Sequence, residues 1–101
     1  GDFEGQATYF KPKTEGGPIG ACGKKEDDNS QIVALNLHQY GSPNAVSGWC
    51  NRKVYIRHGD KHTTATINDA CPGCSRNSLD LTPSVFEKLA AFKTGVVPIQ
   101  W

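Results

Sequence analysis

The sequence predicts a mainly β fold, a small barrel of about six short strands with one short helix, formed as one domain over residues 1–101. Three observations predict it. Apolar residues alternate at period two in several separate stretches, as half-buried strands require. Clusters of Gly, Pro, Asn and Asp punctuate those stretches at short intervals. A single segment carries an apolar stripe at helical spacing, behind a capping residue and a proline.

The first strand is expected at 6–10, where Ala-Thr-Tyr-Phe supplies good strand formers. Residues 11–30 read as a long loop dense in Gly, Pro and Asp, with Cys22 placed to pin it. Residues 31–40 alternate, with Val33, Leu35 and Leu37 on one face and Ile32, Ala34, Asn36, His38 and Tyr40 on the other. The whole run is therefore expected to be strand. A Gly-Ser-Pro-Asn turn follows at 41–44, and residues 53–57 alternate again with Val54 and Ile56 inward. His-Gly-Asp-Lys at 58–61 is a hairpin turn whose Gly-Asp pair supplies positive φ. The return strand at 62–69 puts Thr63, Ala65, Ile67 and Asp69 on one face. At 79–81 Leu79 and Leu81 point inward, which turns Asp80 outward. Thr82 then caps a helix with Pro83 at its first position. Val85, Phe86, Leu89 and Ala90 form its stripe, Lys93 sits near its negative end and Gly95 closes it. A last strand at 96–101 contains Pro98, which marks an edge or a bulge.

Composition narrows the function classes. Eleven Lys and Arg against 10 Asp and Glu leave a net charge of +1, without the basic excess of a nucleic-acid module. With 37% apolar residues, 21% charged residues and 11 Gly, the composition is globular rather than disordered. No apolar run approaches the ~18 residues of a membrane span. Neither nucleic acid nor a membrane is an expected partner, and a monomer is expected. The sequence opens at Gly1 without an apolar leader and contains no Met, as either a processed secreted protein or a trimmed chain would.

Four cysteines, Cys22, Cys50, Cys71 and Cys74, in so short a chain predict two disulfides and an oxidising compartment. Cys71 and Cys74 have metal-ligand spacing, but Cys22 and Cys50 do not form a second compact pair. No metal and no cofactor is assigned. Spacing does not determine the pairing. Cys22–Cys50 with Cys71–Cys74 is preferred because it closes the tight Pro-Gly loop on itself. On chain-entropy grounds these bridges would contribute about 3.5 and about 2 kcal/mol.

Two carboxylates stand out. Asp69 ends an apolar face, where it is either a functional acid or an acceptor for the amides of the 71–74 loop. Asp80 is either a solvated strand residue or a working carboxylate. A pair of acids points weakly to glycoside chemistry. Aromatic faces stack on sugar rings, which makes Tyr9, Phe10, Tyr40, Trp49 and Tyr55 candidates. Tyr9 and Phe10 alternate, so only one is expected to face inward, whereas Tyr40 and Trp49 lie beside turns and are candidates for exposure. His38, His58 and His62 accompany no nucleophile motif and read as structural or surface residues.

Five stretches in order resemble a known family: Ala-Thr-Tyr-Phe at 7–10, Ala-Cys-Gly at 21–23, Ile-Asn-Asp-Ala-Cys-Pro-Gly-Cys at 67–74, Leu-Asp-Leu-Thr-Pro at 79–83 leading to Phe86, and Gly-Val-Val-Pro-Ile-Gln-Trp at 95–101. Together they resemble the double-psi β-barrel domain of expansins, closest to the single-domain fungal loosenins, across residues 7–101. The resemblance implies a six-stranded double-psi β-barrel with an open polysaccharide groove. It implies Thr8 and Tyr9 as the threonine–aromatic start of that groove, Asp69 as its first carboxylate and Asp80 as its second. Asp80 matches the general acid of related inverting endoglucanases and the aspartate tied to wall loosening. One departure matters. The endoglucanase base, an Asp just after the Thr-Tyr stretch, has no carboxylate counterpart before Glu15. Inversion needs a second carboxyl roughly 6.5–9.5 Å from the acid. The β-sandwich domain of full expansins is not in the sequence either, so weak binding to a flat cellulose surface is expected.

The expectation is a secreted, extracellular, non-hydrolytic protein that binds and loosens cell-wall polysaccharide such as cellulose or chitin. Asp80 would be its acid-like residue, with Thr8, Tyr9, Phe10, Tyr40, Trp49 and Asp69 as substrate contacts. Two alternatives use the same barrel. One is a glycan-cleaving enzyme, either an endoglucanase or a lytic transglycosylase that needs one acid. The other is a defence protein resembling barwin-type chitin binders and a secreted papain inhibitor, binding through variable loops.

Overall fold

The computed structural model describes residues 2–12, 14 and 19–101. Six strands form: β1 (Glu4–Tyr9), β2 (Ile32–Asn36), β3 (Lys53–His58), β4 (Lys61–Cys71), β5 (Leu79–Leu81) and β6 (Val97–Gln100). They close into a barrel in the order β1-β5-β2-β4-β3-β6, the expected double-psi barrel. The β1/β5 and β2/β4 pairs are parallel, and the other four contacts are antiparallel. Closure pairs the first strand with the last, and Phe3 and Trp101 extend that pairing by exchanging backbone hydrogen bonds of 2.8 and 2.9 Å. Inward residues of every strand meet in one core, where Val33, Leu35, Ile56, Ile67, Leu79, Leu81 and Phe86 are fully enclosed.

The strand expected over 31–40 stops at Asn36. The buried Asn36 accepts the Gln39 N–H on its Oδ1 at 3.1 Å and so caps a one-turn helix, α1 (Leu37–Tyr40). Gly41, at φ 99°, closes that turn by donating its N–H to the Leu37 carbonyl. An Asn cap before four residues and a Gly after them is a helix signal that overrides the apolar alternation here. Asn36 Nδ2 also donates to the Ser78 carbonyl at 3.0 Å, tying α1 to the segment that leads into β5.

The helix expected behind Thr82 is shorter than its stripe. Regular α-helix covers Pro83–Phe86 (α2), and helical turns continue to Ala90 through the Leu89 and Ala90 N–H groups on the Phe86 carbonyl. Gly95 closes a separate 3₁₀ turn, Phe92–Thr94, rather than this helix. Two short helices therefore stand where one was expected. Thr82 does not cap α2 with its side chain; its hydroxyl donates to the Ser30 and Ile32 carbonyls and fastens the preceding loop. Val85, Phe86 and Leu89 bury the expected face.

β3 runs one residue past its expected end and β4 runs past both of its ends, so the hairpin turn is Gly59-Asp60, and Gly59 alone takes positive φ, at 62°. Against β2, β4 shifts register between Val33 and Ala34: Val33 faces Ile67, but Ala34 faces Asp69. Asn68 is the extra residue, a bulge that turns Asp69 rather than Asn68 towards Ala34. The disulfides are Cys22–Cys50 and Cys71–Cys74, with Cα separations of 5.6 and 5.5 Å.

Candidate functional site

Strand register assembles the site. Thr8 is the partner of Asp80, Asp80 of Ala34, and Ala34 of Asp69, so these four residues form one row across β1, β5, β2 and β4. Asp80 and Asp69 are thus two strand spacings apart, roughly 10 Å between Cα atoms. The small Ala34 between them leaves the wall low. Two adjoining clefts run over this row and share Asp80 and Cys71. One, of about 330 Å³, is lined by Gln6, Thr8, Ser75, Ser78 and the 71–74 disulfide loop. The other, of about 210 Å³, is lined by Phe10, Ala34, Asp69, Ala70 and Pro72.

Asp80 stands half-buried between the enclosed Leu79 and Leu81, as the pleat requires. Its Oδ1 accepts the Thr8 hydroxyl at 2.8 Å, which orients the carboxylate along the groove and leaves the Thr8 oxygen able to accept. Asp69 plays a more structural part. Its Oδ1 accepts the Ala21 N–H at 2.9 Å and the Ala70 N–H at 2.8 Å. It is therefore an amide acceptor, though for the segment carrying Cys22 rather than for the 71–74 loop. Cys71, Cys74 and Asp80 bring ligand-type atoms within 4.8 Å of one another, but both sulfurs are consumed in the disulfide.

The aromatic candidates are not gathered here. Tyr9 lies on the opposite pleat from Thr8. Its ring packs on Phe86 and Phe92 at 4.8 and 5.1 Å, and its hydroxyl donates to the Phe92 carbonyl. Phe10 is buried and reaches the groove only as part of its end wall. Tyr40 is a core residue, 4% exposed, with its hydroxyl on the Ala45 carbonyl at 2.7 Å. Trp49 lines a different cleft, with Phe3, Tyr55 and Trp101, and carries the Arg52 guanidinium 4.6 Å from its ring centre. Tyr55 is exposed and stacks on His62. His58 places Nδ1 2.7 Å from the Pro98 carbonyl. Lys13 and Glu15, at the position of the missing endoglucanase base, lie outside the described residues.

One acid escapes the sequence reading. Glu26 is 5% exposed, and neither of its carboxyl oxygens meets a donor in hydrogen-bonding geometry. It sits behind Asp69, against Asn68 and the backbone of Gly20. Burial first, then the neighbouring Asp69 carboxylate, push its acid up to about 8, while the Asn68 amide acts the other way. Its neighbourhood, Lys-Lys-Glu-Asp-Asp-Asn at 24–29, carries no pattern that separates a buried acid from solvated ones.

A family model described as lytic transglycolase, a double-psi β-barrel model, matches residues 2–101. Among curated proteins, the chain is 33% identical over 100 residues to the Allergen Asp f 7 homolog of Arthroderma benhamiae, covering 87% of this chain and 35% of that protein. It is 32% identical over 96 residues to the papain inhibitor of Streptomyces mobaraensis, covering 92% of this chain and 64% of that protein. The chain thus spans about a third of the allergen homolog and under two thirds of the inhibitor. Among solved structures, the Streptomyces papain inhibitor superposes with a TM-score of 0.81 at 29% identity, covering 98% of this chain and 94% of that one. A Clavibacter michiganensis expansin variant in complex with cellohexaose superposes with a TM-score of 0.78 at 23% identity, covering 96% of this chain and 47% of that one. Expansins, papain inhibitor and this chain share one fold.

Proposed function

Because this chain belongs to the double-psi β-barrel family described as lytic transglycolase, we propose that it is a groove protein for polysaccharide, working outside the cell and without cleaving its glycan. The observation that carries this reading is the Asp80 carboxylate, held by the Thr8 hydroxyl at the junction of two clefts open along one wall of the barrel. Around it, Gln6, Ser75 and Ser78 offer the short polar groups that sugar hydroxyls pair with. A hydrogen bond to a neutral group is worth about 0.5–1.5 kcal/mol net, and one to a charged group about 1.5–3. Several together compete with the interchain bonds of a packed glycan, so loosening follows from exchange of partners, not from bond scission. The cellohexaose-bound expansin variant supports the ligand class by shared fold.

Hydrolysis by inversion asks more of the site. It needs a second carboxyl with an oxygen free to take a proton from water. Asp69 has the position but spends Oδ1 on two backbone amides and has Glu26 against it. General-base assistance contributes about 10²–10⁴-fold, so turnover by inversion is expected near background, and anhydro-sugar release is the measure of the one-acid lytic route. Pull-down on cellulose, chitin, xylan and peptidoglycan, with reducing ends and anhydro-sugars measured in the same samples, tests the reading. Binding without release supports it. Steady release that Asp80→Asn abolishes would make the protein an enzyme.

A second reading has its own observation. The papain inhibitor matches at 32% identity over 92% of this chain, and its solved chain is of nearly equal extent. Inhibition of papain at stoichiometric concentration, with no retention on any glycan, selects it. Two disulfides suit either reading in an oxidising compartment.

A further inference from the structure

Glu26 has no part in the groove, yet its burial demands an explanation: a carboxylate enclosed without donors is costly, and the usual remedy is to keep its proton. The group against it is itself a carboxylate. That neighbour is Asp69, on β4; Asn68 contributes an amide, and the turn around Gly20 contributes backbone. A Cβ on Gly20 would stand 2.3 Å from the Asn68 carbonyl oxygen and 2.9 Å from Glu26 Oε1, so this turn is closed directly over the acid. The same segment is fastened to β4 by the Ala21 N–H on Asp69 and the Cys22 N–H on the Asn68 carbonyl, and Asn68 Nδ2 donates to the Lys24 carbonyl.

We propose that Glu26 and Asp69 hold one proton between them, and that this proton latches the 20–26 segment onto β4 and fixes Asp69 at the end of the groove. Glu26 is thus a positioning residue for Asp69. Its effect on glycan binding rests on the groove reading above, whereas the latch itself does not. With the proton present, Glu26 donates and Asp69 accepts, so one negative charge remains in the enclosed space. With it gone, two enclosed carboxylates face each other, the segment lifts and Asp69 loses its setting. Glu26 is the group that gives up the proton, near pH 8.

The test uses carboxyl ¹³C NMR titration and thermal melts from about pH 4 to 10 on the parent, Glu26→Gln and Asp69→Asn. Glutamine donates to Asp69 at every pH, so Glu26→Gln should keep a high melting temperature above pH 8, where the parent's has fallen. In Asp69→Asn the Glu26 midpoint should drop by a unit or more. In pull-down on cellulose, chitin, xylan and peptidoglycan, retention should weaken severalfold above pH 8 in the parent and stay level in Glu26→Gln. A Glu26 midpoint near the ordinary 4.5, or identical pH profiles for the melts of parent and Glu26→Gln, would overturn the latch. So would millimolar calcium raising the parent's melting temperature but not that of Glu26→Gln, since the pocket would then hold a cation and not a proton. If the titration and melts behave as expected while no glycan is retained at any pH, the latch stands and the groove reading fails.

Discussion

Asp80 owes its outward direction to its two neighbours. Leucines on both sides must point inward, so the acid between them points out, and that much follows from period-two alternation alone. Asp80→Asn keeps the shape and hydrogen-bonding reach while removing the charge. It is expected to cut glycan retention and filter-paper weakening sharply, with an unchanged circular-dichroism spectrum. The groove placement of Tyr9 beside Thr8 does not survive the same rule, since adjacent residues of a strand face opposite ways, and Tyr9 goes to Phe86 and Phe92. Glu26 was not legible at all: burial of a loop acid depends on which distant strand the loop lands on. Its expected signature is a pH dependence of stability. The unfolded chain releases this proton near 4.5 and the folded chain near 8, so between these values the folded state holds more protons. The stability this group contributes should therefore be fully present below 4.5 and be lost progressively as pH rises through about 8. Chemical denaturation at a series of pH values measures the slope.

Among the elements, the β4 bulge and the 19–30 segment do most to build the site. Without the extra residue at Asn68, strict pairing would set Asn68 opposite Ala34 and turn Asp69 out of the row. No sequence pattern announces this, because alternation through Ala65, Ile67 and Asp69 looks regular. The end of β2 was legible in retrospect from the Asn36 cap and Gly41, two signals outvoted by five well-placed apolar residues. The 19–30 segment depends on Gly20 for close approach and on Cys22–Cys50 for its tether. Gly20→Ala is expected to destabilise by roughly 2–4 kcal/mol, since the obstructing atom is backbone and cannot swing aside. The paired substitution Cys22→Ser and Cys50→Ser should cost about 3.5 kcal/mol by chain entropy. For a domain of this size that is a fall of roughly 15–25 °C in melting temperature, measurable by calorimetry.

For the whole molecule, the count and order of strands along the chain were largely readable, because each strand carries its own alternation. Their order around the barrel was not, since nothing local says that β5 inserts between β1 and β2. That insertion joins residues far apart in sequence, such as Thr8 with Asp80, and two of the barrel's pairs are parallel. Such pairing must close long loops before it gains contacts, which slows folding. Refolding of the disulfide-intact chain from guanidinium, followed by tryptophan fluorescence, is expected on the millisecond-to-second scale. The reduced chain should refold more slowly still, since the tether between the 19–30 segment and the residues before β3 is then gone.

Phe3 and Trp101 lie side by side at one end of β1, while Thr8 and its row lie five residues further along that strand. At about 3.4 Å per residue the two places are roughly 17 Å apart. The barrel is in this sense a ring with a handle: cargo fused before Phe3 or after Trp101 would leave from one spot and keep clear of the Asp80 groove. The same adjacency invites circular permutation. A short Gly-Ser link from Trp101 to Phe3, with new ends opened at the Gly59-Asp60 turn, should yield a chain with the parent's circular-dichroism spectrum and both disulfides.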